Sequence, residues 1–287
     1  MRRRRHVPPI VLAALVFLAQ RAIAADVDTQ FIFGFTQGAD VGELGEKEIE
    51  SETVGRFGKA DGSYAALTSQ LRAEFTPLEN FRFEAGAFAD YHSIAGVSGF
   101  VDRDAVQFGG FAIEARYRLL NRRTAPFGLT IGIEPHWAQV DDQSGERVDN
   151  WGGELVVAID QELIKDRLFA ALNVLYDPEW THVIAGDTWQ PQSTLGLSAA
   201  ATAQIDDGVF VGIEAHYERA YGGTGLNALS GDALFLGPTT YLLVTRNLAV
   251  SVAWSIQVAG GAVAIPGSLD LNDFERSQLR LRFEYTF

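Results

Sequence analysis

Leu279-Arg280-Leu281-Arg282-Phe283-Glu284-Tyr285-Thr286-Phe287 is the stretch on which the fold turns. Its odd positions are apolar or aromatic and all its even positions are charged or polar. A period of two describes a strand with two unlike faces. In a soluble sheet the apolar face lies on a core; in a spanning strand it faces lipid. The second reading makes demands on everything upstream: an export signal, no cysteine, no apolar helix long enough to span, and many more strands of the same kind.

The export signal is present in outline. Arg2 to Arg5 form a basic region, Ile10 to Ala19 an apolar run of ten residues, and Ala22-Ile23-Ala24 a small-x-small cleavage site. Ten apolar residues fall short of the roughly 20 that cross a bilayer as a helix. Cleavage is expected near Ala24 or Ala25, with residues 1–25 as the signal peptide. The sequence has no cysteine, so it offers no disulfide framework, thiolate metal site or cysteine nucleophile. Without the five arginines of the signal, 18 basic residues face 37 acidic ones. Such a chain lacks the basic footprint that nucleic acid requires. The most apolar internal run, Leu248 to Ala264, alternates its bulky residues and carries Ser251, Ser255, Gln257 and Gly260-Gly261, so it reads as strand and not as a spanning helix.

From Glu46 onward the alternation is regular. Phe81, Phe83, Ala85 and Ala87 oppose Arg82, Glu84 and Asp90. Phe127, Leu129, Ile131, Ile133 and Trp137 oppose Thr130, Glu134 and His136, and Val209, Val211 and Ile213 oppose Glu214, His216 and Glu218. Ala233 to Val244 is apolar on both faces and fits the pattern least well. Twelve such strands follow residue 44. Short connections (Thr76 to Asn80, Leu120 to Pro126, Gln161 to Asp166, Gln204 to Gly208, Thr245 to Asn247) alternate with longer Gly- and Asp-rich ones. The longer set is Ser93 to Asp104, Gln139 to Asn150, Pro178 to Gln190, Ala220 to Asp232 and Gly260 to Glu275. An even count puts both termini on one side. Phe31 to Thr36 as a further strand would break that parity, so residues 26–43 are expected to be a periplasmic lead-in or plug at the barrel mouth, and 44–287 the barrel.

The closing strand resembles that of bacterial outer-membrane β-barrels, in which a terminal aromatic ends an alternating run. Gly45-Glu46-Lys47-Glu48-Ile49-Glu50 and Gly55-Arg56-Phe57-Gly58-Lys59 with Gly62-Ser63-Tyr64 are also similar to the starts of uncharacterised, porin- or transporter-like outer-membrane barrels. The resemblance implies an all-β fold, a transmembrane antiparallel up-and-down β-barrel of about 12 strands in a Gram-negative outer membrane. It also implies outer-membrane lipid and lipopolysaccharide as surroundings, and the barrel-assembly machinery as a partner reading the strand that ends at Phe287. Spanning strands must close on themselves, because lipid offers no partner to an open sheet edge. A soluble β-sandwich accommodates the same alternation and is the rival fold.

If the apolar face meets lipid, the other face lines the lumen. On it the sequence places Glu48, Glu50, Glu52 and Arg56, then Arg72 and Glu74, Arg82 and Glu84, and Glu114 and Arg116. Glu134, His136, Glu214 and His216 follow, with Arg280, Arg282 and Glu284 on the last strand. Closure brings Arg280 and Arg282 beside the Glu48–Glu52 ladder, and Arg72/Glu74 beside Arg82/Glu84. These charges are either a salt-bridged interior that replaces an apolar core or the lining of a path for small polar solutes. Twelve strands leave room for a narrow or plugged pore and not for a wide one. Leu172→Arg on the lipid face should be costly, and Asn173→Arg on the inner face better tolerated.

Enzymatic and metal chemistry have weaker support. His92 with Asp90, His136 with Glu134 and His216 with Glu214 and Glu218 place a carboxylate two residues from an imidazole, yet no Gly-x-Ser-x-Gly is present. Twelve-stranded outer-membrane phospholipase A matches in strand number alone. No His-x-x-x-His or His/Cys cluster announces a metal, and the acidic loops with Asp141-Asp142, Glu146 and Asp149, or with Asp270 and Asp273, lack the Asp-x-Asp-x-Asp-Gly spacing of a calcium loop. No enzyme activity, cofactor or metal is therefore expected.

Overall fold

A computed structural model describes residues 27–265 and 267–287. The signal-peptide reading of residues 1–25 lies outside them. Alternating residues form strands at the expected places: β1 (Lys47–Phe57), β2 (Ser63–Leu78), β3 (Phe81–Ala95), β4 (Arg103–Leu120), β5 (Gly128–Val140) and β6 (Arg147–Ile164). The second half comprises β7 (Leu168–Val183), β8 (Thr188–Asp206), β9 (Val209–Tyr221), β10 (Leu229–Leu243), β11 (Leu248–Ala262) and β12 (Ser277–Thr286). Each strand pairs antiparallel with the next, and β12 pairs with β1 to close a twelve-stranded up-and-down barrel. Closure is in register over ten residue pairs, from Glu48↔Thr286 to Phe57↔Ser277. No strand of the barrel is left with an unpaired edge.

The burial pattern is inverted relative to a soluble protein. Leu71, Phe83, Phe111, Ile113, Ile131, Ile133, Leu155, Ile213 and Val252 stand exposed on the outside, and Leu172 is 56% exposed. Inside, Glu50, Glu52, Glu74, Arg82, Glu84, Glu114, Arg116, Asp160, Glu214 and Arg282 are buried. Charged residues are ordinarily the most exposed type and aliphatic ones the least. A continuous outer apolar face around a charged interior fits hydrocarbon outside and removes the reason for a sandwich, whose apolar faces would meet each other.

Two expectations need correction. The connections do not alternate in length as strongly as the sequence suggests: the supposedly tight one between β4 and β5 has the same length as that between β3 and β4. The expected long loop from Pro178 to Gln190 does not form. β7 and β8 pair without a break as far as Val183↔Thr188 and are joined by a 3-10 turn over Ile184–Gly186. Pro178 reads locally as a strand breaker, since it has no N–H to donate. It is accommodated because β6 pairing passes from Gly152↔Glu179 to Leu155↔Tyr176 around it, so no ladder bond is asked of it there.

β10, apolar on both faces, has a separate explanation. Its inward Phe235 packs against Phe274 of the long β11–β12 connection, and its Tyr241 against Phe210 and the residues before β1. An inner apolar surface exists here because other parts of the chain cover it.

Candidate functional site: the barrel lumen

Residues 27–43 enter the lumen from the end that carries the start of β1 and the end of β12. The segment is apolar at its centre, and Ile32 and Phe33 are fully buried against Phe169, Ala171, Ala200 and Phe210 of the wall. Its backbone forms no sheet with the wall, so its amides require side-chain partners. The Phe35 and Thr36 N–H groups donate to Glu214 at 3.1 and 2.9 Å. Asn173 clasps Gln37 from both sides: the Gln37 N–H donates to Asn173 Oδ1 at 2.7 Å, and Asn173 Nδ2 donates to the Gln37 carbonyl at 2.8 Å. The Ala39 N–H donates to Asp160 at 3.1 Å, the Thr130 hydroxyl to the Ala39 carbonyl at 2.5 Å, and Thr76 to the Val41 carbonyl at 2.8 Å. Arg122, in the β4–β5 connection, bridges Asp40 and Asp160. Gly34 has φ +89°, and a Cβ there would lie 2.6 Å from Thr239 Cγ2 and 2.7 Å from Glu214 Oε1, so the segment can run this close to the wall only with glycine at that position.

Around and beside this segment lies a belt of ion pairs. Arg82 meets Glu74 and Glu84, both at 2.5 Å. Arg72 meets Glu134 at 2.6 Å, Glu84 at 3.4 Å and Glu114 at 3.6 Å, and Arg116 meets Glu114 at 2.5 Å. Across the closure, Arg280 meets Glu52 at 2.7 Å, and Arg282 meets Glu50 at 3.3 Å and also Glu52. Glu48 stands apart and accepts from Thr286 at 2.6 Å. Glu284 is buried, and its Oε1 has no partner among the described residues. The Phe31 ring meets the guanidinium groups of both Arg82 and Arg282, at 5.3 and 4.1 Å from its centroid. The N-terminal segment and the belt thus form one packed unit, held by cation–π as well as ionic contacts.

Beyond the segment the lumen opens. A cavity of about 970 Å³ runs from Phe35 and Gln37 to the far loops, near Phe100, Trp189 and Tyr221. Eight acidic residues line it (Asp141, Asp142, Glu154, Asp177, Glu179, Glu218, Asp273 and Glu275), with Arg56 and Arg280 as its arginines. Two loops fold inward over it. Asp142 reaches Arg56 at 3.2 Å, and Lys59 donates to the Asn272 and Phe274 carbonyls at 3.2 and 3.0 Å and to Gln143 at 3.2 Å. Burial pulls the Lys59 ammonium below its ordinary pKa against the opposing pull of Glu275 and Asp142. In the β11–β12 connection, burial and the neighbouring Asp270 push the Asp273 carboxyl up to about 6.

The histidines do not assemble a hydrolytic centre. His216 Nε2 bonds Gln278 at 2.9 Å, and the ring stacks on Phe235; His92 Nε2 bonds the Asp142 carbonyl at 3.0 Å. His136 turns away from Glu134 and bonds Glu179 at 3.2 Å. Among the described residues none of the three hydrogen-bonds a serine, although Ser198 of β8 lies opposite His216 of β9. Sequence reasoning missed Glu179, which it had assigned to a loop, and the anchors of the N-terminal segment, Asp40 and Arg122, whose roles depend on a segment without periodicity.

A family model described as a family of unknown function (DUF6662) matches residues 25–287, and the chain belongs to that family. No curated protein matches the sequence. The fold is similar to the COG4313 outer membrane channel from Pseudomonas putida F1, at TM-score 0.65 and 13% identity over 87% of this chain and 98% of that one. It is also similar to the NanC porin, at TM-score 0.50 and 9% identity over 83% of this chain and all of that one.

Proposed function

We propose that this chain is an outer-membrane barrel that takes small polar solutes, with a preference for cations, into an outward-facing acidic vestibule. Passage onward is controlled by residues 27–43. The observation that carries this reading is the vestibule's floor: a cavity of about 970 Å³ ends on Phe35 and Gln37, which belong to a separate segment and not to the barrel wall. Eight carboxylate residues against two arginines make a field that concentrates cations. The fold of outer-membrane channels and the lipid-suited outer face support the location; the short-turn end then faces the periplasm.

Single-channel recording in planar bilayers tests this. The full-length mature barrel should give small or infrequent steps, and a variant lacking residues 27–43 larger, steady, cation-selective ones. Glu154→Gln with Glu218→Gln should lower that selectivity. A deletion variant that is folded and silent would overturn the channel reading. It would favour a closed barrel acting through its loops, a reading that rests on the belt of ion pairs crossing the lumen.

A further inference from the structure

One group of lumen acids has no arginine. The strand register sets His136 of β5 opposite Gly152 of β6, Gly152 opposite Glu179 of β7, and Glu179 opposite Gln192 of β8, so four residues form one row across the wall. Glycine in that row lets its neighbours meet over it. A Cβ at position 152 would lie 2.3 Å from His136 Nε2 and 3.0 Å from Glu179 Cγ. Asp177, two residues before Glu179 on the same face, joins them: donor atoms of His136, Asp177 and Glu179 all lie within 4.8 Å of one another.

The surroundings hold these groups in place and leave donor capacity unused. Glu179 Oε1 accepts from His136 Nε2 at 3.2 Å and from Asn150 Nδ2 at 3.1 Å, and its Oε2 accepts from Gln192 at 2.6 Å. Asp177 Oδ1 is enclosed and has no partner among the described residues. Asn150, whose Nδ2 donates to Glu179, is 8% exposed, and its Oδ1 is likewise buried and unpartnered among the described residues. Buried oxygens without donors are costly, and at this place two of them lie beside an imidazole and a second carboxylate. In the belt of ion pairs arginine neutralises acids such as Glu74, Glu84, Glu114 and Glu52. Here no Arg or Lys forms an ion pair with Asp177 or Glu179 among the described residues.

We propose that His136, Asp177 and Glu179 form a binding site for a divalent transition-metal ion of the Zn²⁺ class on the vestibule wall. One imidazole nitrogen with two carboxylates suits borderline first-row metals, whereas Ca²⁺ calls for six to eight oxygens. The ion takes the position of the proton shared by His136 Nε2 and Glu179 Oε1. Asn150 and Gln192 orient the carboxylate from outside the coordination sphere. Asp177 and Glu179 face the cavity, so an ion has an entry path and the remaining positions stay open to water or solute. The site does not depend on whether the barrel conducts.

The test is calorimetric titration of the refolded, detergent-solubilised barrel with ZnCl₂ alone, with folding verified by heat-modifiable gel mobility. One site per chain is expected, weakened at least ~10-fold by His136→Gln, Asp177→Asn or Glu179→Gln, and unchanged by Asp207→Asn in the β8–β9 turn at the other end of the barrel. CaCl₂ should bind at least ~10-fold more weakly. No heat from the wild type, or binding that survives His136→Gln, overturns the proposal. Should that variant not fold, X-ray absorption of the Zn²⁺-loaded wild type decides: a coordinated imidazole supports the site, and an all-oxygen shell overturns it.

Discussion

The two halves of the lumen are built from the same residue types with opposite results. In the half that holds the N-terminal segment, most inward acids pair with an arginine, Glu48, Glu214 and Glu284 being exceptions, and the space is filled. In the other half the acids Glu154, Asp177, Glu179 and Glu218 have few cationic neighbours, and the space is open. An inward carboxylate alone therefore says little about its role. Whether the strand register supplies it with a guanidinium decides between a structural charge and one left free for a ligand.

The comparison can be broken by removing an arginine from the filled half. Arg82 is 2% exposed and neutralises both Glu74 and Glu84. Arg82→Ala leaves two buried carboxylates unmatched and should cost about 3–5 kcal/mol in urea unfolding followed by tryptophan fluorescence. Glu218→Gln in the open half should stay within about 0.5 kcal/mol in the same assay. Equal losses would erase the distinction.

The outer face gives the next largest effect. Leu172→Arg, at a 56% exposed position, should cost about 2–4 kcal/mol of folding stability in lipid. Asn173→Arg is not the mild inner counterpart that alternation alone suggests, because Asn173 grips both sides of Gln37. Ser198, on the inner face of β8 and bordering the cavity, is the fitting control, and Ser198→Arg should assemble normally.

A third substitution separates the segment from the wall. Gly34→Ala places a side chain at positive φ and against Thr239 and Glu214, which should cost the docked segment about 1–3 kcal/mol. The barrel itself should keep its unfolding midpoint while residues 27–43 gain protease sensitivity. A shifted midpoint with no new cleavage would mean that segment and barrel unfold as one.

The smallest effect concerns pH. Asp273 carries a raised carboxyl pKa of about 6 from burial and Asp270, so its protonated form is the one the folded loop favours. That contribution is complete below the ordinary aspartate range and is lost as pH rises through about 6. Hydrogen-exchange protection in the connection between β11 and β12, corrected for the intrinsic pH dependence of exchange, should fall between about pH 4 and pH 6, and Asp273→Asn should flatten the profile. An unchanged profile in the variant would remove Asp273 as the cause.

Much of this was legible in the sequence, because period-two alternation is a property of single strands. The twelve strands and the closure of β12 on β1 follow from it. What escaped depends on relations between strands. Glu179 was hidden behind Pro178, whose missing N–H matters only where a neighbour would have bonded it. The row of His136, Gly152, Glu179 and Gln192 draws one residue from each of four strands and leaves no local pattern. The anchors of the N-terminal segment, Asp160, Glu214, Asn173 and Thr130, are likewise scattered over four strands.

Phe31 carries a consequence for the order of assembly. Its ring meets both Arg82, on the third strand, and Arg282, on the last. One side of that seat exists once the first hairpins have formed, and the other only when the final strand arrives, some 250 residues later in the chain. Closing so long a loop delays a contact in time more than it weakens it. The part of the chain made first is therefore the part whose place is completed last.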